Sequence, residues 1–385
     1  METNDKIREV QDKFLSGCWE KVRDYYYEPL KDKNVIIYGS GIYGRFLYEA
    51  VCRIGLKDNI KWFINDFVES SGTELFGVAV DRYGNIDINK DSDIVLIGIQ
   101  NNKGIIERLE ADGVNYIYSD YDECFFEDNL MYTEFKCIAS SPISDLCKKI
   151  NDYYELYCDK IQGYREYFDE DVSLRILEDR ENLYKTGDVK YIDDLPVNPR
   201  QYFEADYYNI SDNEVYVDCG AFDGDSIREF NEYTNGKYEE IYAFEPDEIS
   251  FRLLEKTVEN LHNVTLFPYA TGEEEGEAFF NSTGTLGASI ADKGNAIQIK
   301  TLDGLLKDKR VSLIKMDIEG AELDTLKGAE EIIKTYKPKL AVCIYHKLED
   351  IITIPQYIKS IVPEYKFKVR QHSRSMLETV LYAEV

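Results

Sequence analysis

Residues 214–226 read Glu-Val-Tyr-Val-Asp-Cys-Gly-Ala-Phe-Asp-Gly-Asp-Ser, and 241–247 read Ile-Tyr-Ala-Phe-Glu-Pro-Asp. The apolar run Val215-Tyr216-Val217 stops at Asp218 and passes into a turn holding Gly220 and Gly224. A helix is predicted from Ser226, and a second apolar run, Ile241 to Phe244, ends on an acid, Glu245. Strand, glycine turn, helix, strand and acid, in that order, form a unit that holds an adenosine-bearing ligand at the carboxyl edge of a parallel sheet. The glycines let the backbone approach the ligand, and the acid can accept hydrogen bonds from two ribose hydroxyls.

Downstream, strands and helices keep alternating. A helix is predicted over 248–261, then a strand at Val264-Thr265-Leu266-Phe267, then short β-like pieces punctuated by Gly272, Gly276, Gly284 and Gly287. Ser312 to Met316 runs into Asp317-Ile318-Glu319-Gly320, and Leu340 to Ile344 ends at Tyr345-His346. A helix is predicted near 354–362. The runs 365–369 and 379–383 follow with no helix between them, so they should pair as an antiparallel hairpin at one edge of the sheet. Five parallel strands closed by an antiparallel terminal pair resemble the layout of class I methyltransferases more than that of a dehydrogenase.

Upstream, Val35-Ile36-Ile37-Tyr38 leads into Gly39-Ser40-Gly41-Ile42-Tyr43-Gly44, a helical pattern, and a strand at 60–64 followed by Asn65-Asp66. Further strands are predicted at 94–98 and 116–118. Gly39, Gly41, Gly44 and Asp66 therefore make a second, smaller Rossmann-like unit, with a nucleotide sugar, a dinucleotide or no ligand as its open alternatives. This unit also resembles the nucleotide-binding domain of PglD-type sugar O-acyltransferases, through the glycine turn, the acid after the second strand and the pair Gly77-Val78. That resemblance implies a nucleotide sugar. Residues 1–30 carry the helical spacing Ile7, Val10, Phe14, Cys18, Val22, Tyr25. Residues 121–213 show no α/β alternation and are expected to be a helical connector whose aromatic residues pack into cores and interfaces. The expected organisation is thus an N-terminal helix (1–30), a Rossmann-like domain (31–120), a connector (121–213) and a second α/β domain (214–385).

Charge and composition exclude several classes. With 74 acidic and 45 basic side chains the chain carries a formal charge of −29, which argues against a nucleic-acid partner and against docking on an anionic bilayer. No apolar run approaches the roughly 20 residues needed to span a membrane, and the N-terminus lacks a secretory pattern. The eight cysteines are scattered, as in a cytoplasmic protein with reduced thiols. Three histidines, His262, His346 and His372, leave no His-rich metal site.

Residues from about 200 to 385 resemble the FkbM-type methyltransferases that use S-adenosylmethionine (SAM). The segments that carry this are 217–226, Phe-Glu-Pro at 244–246, Ile-Lys-Thr-Leu-Asp at 299–303, Ile-Lys-Met-Asp-Ile-Glu-Gly-Ala-Glu at 314–322, Tyr-His-Lys-Leu-Glu-Asp at 345–350 and Glu-Thr-Val-Leu-Tyr-Ala at 378–383. The resemblance implies methyl transfer to a hydroxyl oxygen of a sugar, glycan or nucleotide-linked sugar. It implies a SAM site built from Asp218, Gly220, Ala221, Phe222, Gly224, Ser226, Glu245, Pro246 and Asp317. Asp218 would take the ammonium group of SAM, Glu245 the ribose, and Pro246 the edge of the adenine slot.

A hydroxyl acceptor must lose its proton as the methyl moves, so a base is needed. His346, past the fifth strand, leads the candidates, with His372 in or near the hairpin turn behind it. Asp317 and Glu319 could share a proton, orient the acceptor or bind a divalent ion; no metal-ligand set is assigned. Glu322 reads as a solvated residue in the first turn of a helix. The partners expected are a small-molecule or glycan acceptor, with homo-oligomerisation left open. The competing classes are a non-catalytic nucleotide-binding scaffold and an NAD-dependent enzyme centred on 34–118.

Overall fold

The computed structural model describes residues 2–68, 73–99, 103–119, 145–157, 161–198, 200–281, 289–291, 295–373 and 377–385. The chain separates into two compact units, 1–155 with 182–194, and 156–181 with 195–385. The stretch read as a connector is divided between them: 145–155 and 182–194 belong to the first, 156–181 and 195–213 to the second. Residues 120–144 of that stretch lie outside the described residues.

The first unit opens with a helix over Glu2–Leu30 and builds a sheet from β1 (Val35–Tyr38), β2 (Ile60–Ile64), β3 (Thr73–Leu75), β4 (Val78–Asp81), β5 (Ile94–Ile97) and β6 (Ile117–Ser119). The order is β3-β4-β2-β1-β5-β6. Only β3 runs antiparallel to its neighbour. Short apolar strands buried on both faces, such as β1 and β5, are what a parallel sheet requires. The edge pair β3 and β4 was not read from the sequence, because Thr73 to Asp81 is too short and too exposed to show a pattern.

The second unit carries β7 (Val215–Cys219), β8 (Glu240–Phe244), β9 (Val264–Phe267), β10 (Ala270–Thr271), β11 (Gly276–Asn281), β12 (Ser289–Ala291), β13 (Asn295–Lys300), β14 (Leu313–Met316), β15 (Lys339–Cys343), β16 (Lys366–Gln371) and β17 (Thr379–Glu384). Its main sheet has the order β16-β17-β15-β14-β7-β8-β9. Strand β17 is antiparallel to both neighbours and the remaining pairs outside the hairpin are parallel. The expected α/β class, with two Rossmann-like sheets and a terminal hairpin on the second, is the one observed. Strands β10 to β13 form a separate small sheet, where the sequence showed only glycine-punctuated fragments.

Strand β7 lies inside the sheet, between β14 and β8, and all five of its residues are buried. Below it an aromatic core gathers Tyr202, Phe203, Tyr207, Tyr208, Tyr216, Phe230 and Tyr382. The aromatic residues of the irregular run 200–208 are therefore core, as expected, while Arg200, Ala205 and Asp206 stay exposed. Arg370, almost wholly buried, ties the unit's own early segment to its last hairpin, donating to Glu170 at 2.7 and 2.8 Å and to Asp206 at 2.8 Å. Among the described residues, no helix is long and apolar enough to cross a membrane.

Candidate active site

The carboxyl ends of β7, β8 and β14 open into a cavity of about 510 Å³, within the range of small-molecule sites. Residues following β9 (Tyr269 to Thr271) wall one end. Gln201, Tyr202, Asp317, Glu319, Lys347 and Glu378 gather on the wall supplied by β14, β15 and β17. Strand order fixes this polarity, because β8 and β9 lie on one side of β7 and β14, β15 and β17 on the other.

The turn after β7 is shaped by contact with the next strand. Gly220 has φ +82°, and a Cβ there would lie 2.0 Å from the carbonyl oxygen of Asp317. Only glycine fits, because the backbone of Asp317 at the end of β14 fills the space a side chain would take. The amides of Gly220 and Ala221 both donate to the carbonyl of Phe244 at 3.0 Å, locking the turn to β8. Glu245 follows directly. Its Oε2 accepts from the Phe222 amide at 2.9 Å and its Oε1 from the Asp247 amide at 2.7 Å, which fixes the carboxylate plane. Burial pushes its carboxyl up to about 7 against the pull of those two amides.

Of the residues assigned to the cofactor from sequence, Gly220, Phe222, Glu245, Pro246 and Asp317 line the cavity, whereas Asp218, Ala221, Gly224 and Ser226 do not. Asp218 in particular is fully buried. Its Oδ2 accepts from Ser226 Oγ at 2.5 Å, and its Oδ1 lies 3.0 Å from Lys315 Nζ. The expected contact to a ligand ammonium is replaced by an internal ion pair. Lys315 itself reaches the wall and donates to the Gly220 carbonyl at 2.7 Å. Burial alone would lower the Lys315 pKa, but Asp218 and Asp317 outweigh it and raise it. A lysine inside the apolar run 312–316 was the one sequence signal for this pair.

On the opposite wall a chain of hydrogen bonds runs between two acids. Gln201 Nε2 donates to Glu378 Oε2 at 2.6 Å and to Tyr202 Oη at 2.9 Å; Tyr202 Oη donates to Asp317 Oδ2 at 3.1 Å. Tyr345 Oη donates to the other oxygen of Asp317 at 3.1 Å. Burial would raise the Asp317 pKa, but Lys315 and His346 hold it below the usual value. Glu378 sits at φ +58° and its carboxyl is pushed up to about 7, first by burial and then by Asp317. Sequence reading gave Glu378 no role.

The two histidines divide. His372 is absent from the cavity lining. Its Nδ1 faces the Asn198 carbonyl at 2.8 Å, so Nδ1 carries the proton, and Nε2 accepts from Tyr382 Oη at 2.8 Å. Burial lowers its pKa to about 4. The structure thus makes His372 a neutral hairpin strut instead of a base. His346 lies just behind the wall, with Nδ1 2.9 Å from Glu322 Oε1 and Nε2 3.6 Å from Asp317 and 3.5 Å from Glu319. Burial would lower its pKa, yet Glu322 first, then Asp317 and Glu319, raise it to about 9. Glu322 is not solvated as expected but fully buried, its Oε1 also accepting from the Ile318 amide at 3.0 Å. The left-handed residues Glu319 (φ +55°) and Gly320 (φ +97°) turn the loop inward and bring this about.

In the first unit the glycine turn and the acid are satisfied internally. A Cβ on Gly44 would lie 1.8 Å from the Gly39 carbonyl oxygen, and one on Gly39 2.5 Å from that of Gly98; Gly41 meets nothing within 4 Å. Asp66 accepts from Tyr38 Oη at 2.6 Å, the Tyr83 amide at 3.1 Å and Arg108 at 2.7 Å. Packing therefore accounts for Gly39 and Gly44, and Asp66 is engaged by protein donors instead of presenting itself to a ribose.

Comparison with known proteins bears on the second unit. A curated relative, methyltransferase sdnD of Sordaria araneosa, is 26% identical over an alignment covering 34% of this chain and 70% of that protein. The crystal structure of a methyltransferase FkbM from Methylobacillus flagellatus KT is 22% identical, with a TM-score of 0.58 over 99% of both chains, a likeness of fold. Residues 218–369, within the second unit, match the family model described as the methyltransferase FkbM domain.

Proposed function

We propose that the protein transfers a methyl group from SAM to a hydroxyl oxygen of a neutral, sugar-like acceptor. The observation that carries this reading is the cavity itself: a backbone-clamped Glu245 at one end and the Gln201–Tyr202–Asp317–Glu378 chain at the other, on the carboxyl edge of a sheet whose sequence matches a methyltransferase domain.

The residues present fit SAM. Glu245 has both oxygens anchored by amides, and its remaining lone pairs face the cavity, where two ribose hydroxyls can donate. Gly220, which carries no side chain, borders the cavity, and Phe222 and Pro246 supply apolar edges. When bound, SAM supplies a sulfonium-activated methyl group. The chain's own contribution is to hold the acceptor hydroxyl in line with it and to remove its proton. Alignment of the two partners supplies the larger share of the rate. Proton removal falls to a carboxylate on the wall, and Glu378, anchored by Gln201, is placed for it. His346 is screened from the cavity by its neighbours and is assigned no proton transfer.

The charge of the cavity narrows the acceptor. Its lining holds seven carboxylates (Asp225, Glu245, Asp247, Asp317, Glu319, Asp324, Glu378) against two lysines, and Lys315 is already paired with Asp218. A cationic cofactor suits this field; a diphosphate does not, since two like charges 6 Å apart cost about 3 kcal/mol at an effective dielectric of 20. A neutral glycoside or polyol is therefore favoured over a nucleotide-linked sugar.

Calorimetry with SAM, followed by release of S-adenosylhomocysteine in the presence of neutral glycosides or UDP-sugars, tests this reading. Saturable SAM binding with turnover on neutral acceptors is the expected result. Absence of SAM binding would sink it; SAM binding with no turnover on any glycan extract would favour the scaffold alternative.

A further inference from the structure

We propose that Asp317, Glu322 and His346 form a binding site for a divalent transition-metal cation at the acceptor end of the cavity. One ligand atom from each of the three residues lies within 4.8 Å of the others. Their side chains are 26%, 0% and 10% exposed, respectively, so two of the three are at least nine-tenths buried.

The second observation is what those buried atoms lack. Glu322 Oε2 and both ring nitrogens of His346 are shielded from solvent and have no hydrogen bond. His346 Nδ1 lies 2.9 Å from Glu322 Oε1, close enough for a strong bond, yet the two are not aligned as donor and acceptor. Adjacent ligands on one ion have this relation: with metal bonds of roughly 2.1 Å at right angles, the two atoms stand about 3 Å apart and the nitrogen points between them rather than at the oxygen. Orphaned buried polar atoms cost stability unless something satisfies them.

The surroundings hold the three groups in place. Glu322 Oε1 accepts from the Ile318 and Gly320 amides at 3.0 and 3.4 Å, which leaves Oε2 turned away from the loop. Tyr202 and Tyr345 orient Asp317 through one oxygen each. Such outer partners are what fix ligand direction at metal sites. Glu319, 3.5 Å from His346 Nε2, adds a further carboxylate to the field. Two carboxylates and one imidazole suit a transition-metal cation better than Mg²⁺ or Ca²⁺, which take all-oxygen sets; Mn²⁺ is the probe because its unpaired electrons report binding directly. Asp317 and Glu319 border the cavity, so an ion here has an open side toward an incoming hydroxyl. The site is independent of the methyl-transfer reading; only its role, to hold and acidify the acceptor oxygen, rests on that reading.

The test uses neither SAM nor an acceptor, so its outcome is separate from that of the functional assay. Full-length protein is stripped with EDTA, dialysed, and titrated with MnCl₂ while free Mn²⁺ is followed by electron paramagnetic resonance. One saturable equivalent is expected, with ¹⁴N modulation from the imidazole in the electron spin echo of the frozen, Mn²⁺-loaded protein. His346→Ala and Asp317→Asn should each weaken it by about tenfold or more, with near-UV circular dichroism confirming that both variants fold. The absence of a saturable equivalent, a spin echo without nitrogen modulation, or affinity unchanged in His346→Ala would each overturn the proposal; the wild-type spin echo decides even where a variant does not fold.

Discussion

Glu245→Gln is the sharpest perturbation of the proposed SAM site, because the structure shows what each oxygen of that carboxylate does. The Phe222 amide points at Oε2 and the Asp247 amide at Oε1. A glutamine can meet one amide with its carbonyl oxygen but must turn an NH₂ toward the other, donor against donor. The charge-assisted contact to the ribose hydroxyls goes with it. Loss of such a contact is worth about 1.5–3 kcal/mol, so the dissociation constant for SAM should rise roughly 10- to 150-fold. A pH series adds an independent readout. With the carboxyl pushed up to about 7 by burial, the ionised form is nearly complete at pH 8.5 and falls to about one part in eleven at pH 6. Since only that form accepts both hydroxyls, wild-type affinity should fall about tenfold on going down from pH 8.5 to 6. The α-amine of SAM titrates in the same region, near 8, but it does so for both proteins and cancels in the ratio of variant to wild-type constants. Isothermal calorimetry at four pH values measures that ratio. It should shrink toward unity as pH drops. A ratio that stays constant across the series, or a variant within twofold of wild type at pH 8.5, refutes the assignment of Glu245 to the ribose.

Two further outcomes concern stability. Lys315→Met strands the fully buried Asp218 without its ion-pair partner, and breaking a buried pair costs about 3–5 kcal/mol; adding Asp218→Asn should recover part of that loss in urea unfolding, and a double variant no better than the single would deny the coupling. Arg370→Ala removes the donor that, as the largest single influence, holds the Glu170 and Asp206 carboxyls below their usual values. Depressed carboxyl pKa values stabilise the fold above the unfolded-state value and lose that contribution as pH falls through the folded one. The difference in unfolding free energy between wild type and Arg370→Ala should therefore be full at pH 7 and narrow in acid; a gap that widens in acid contradicts the assignment.

The parts of this site that could be read in the chain are those whose meaning is local. Val215 to Glu245 announces itself because strand, turn and acid follow one another, and Gly220 and Glu245 lie on the cavity wall in the structure. The terminal hairpin is likewise local, two apolar runs with no helix between them. What escaped is set by contacts across long stretches of chain: Lys315 answers a carbonyl 95 residues away, and Gln201 holds Glu378 across 177. Glu322 shows the limit most clearly. An acid in the first turn of a helix reads as solvated and favoured by the helix dipole, which is sound if that turn faces water. Whether it does depends on two left-handed residues, Glu319 and Gly320, which reverse the loop and aim the carboxylate at His346. The same reversal brings Glu319 within 3.5 Å of the imidazole and leaves Asp317 on the cavity wall. Three acids within six residues thus take three different surroundings, and with them different chemistry. The carboxylate's role is decided by the cation that the backbone turns it toward, which is why a metal titration that reports on His346 bears on Asp317 and Glu322 as well.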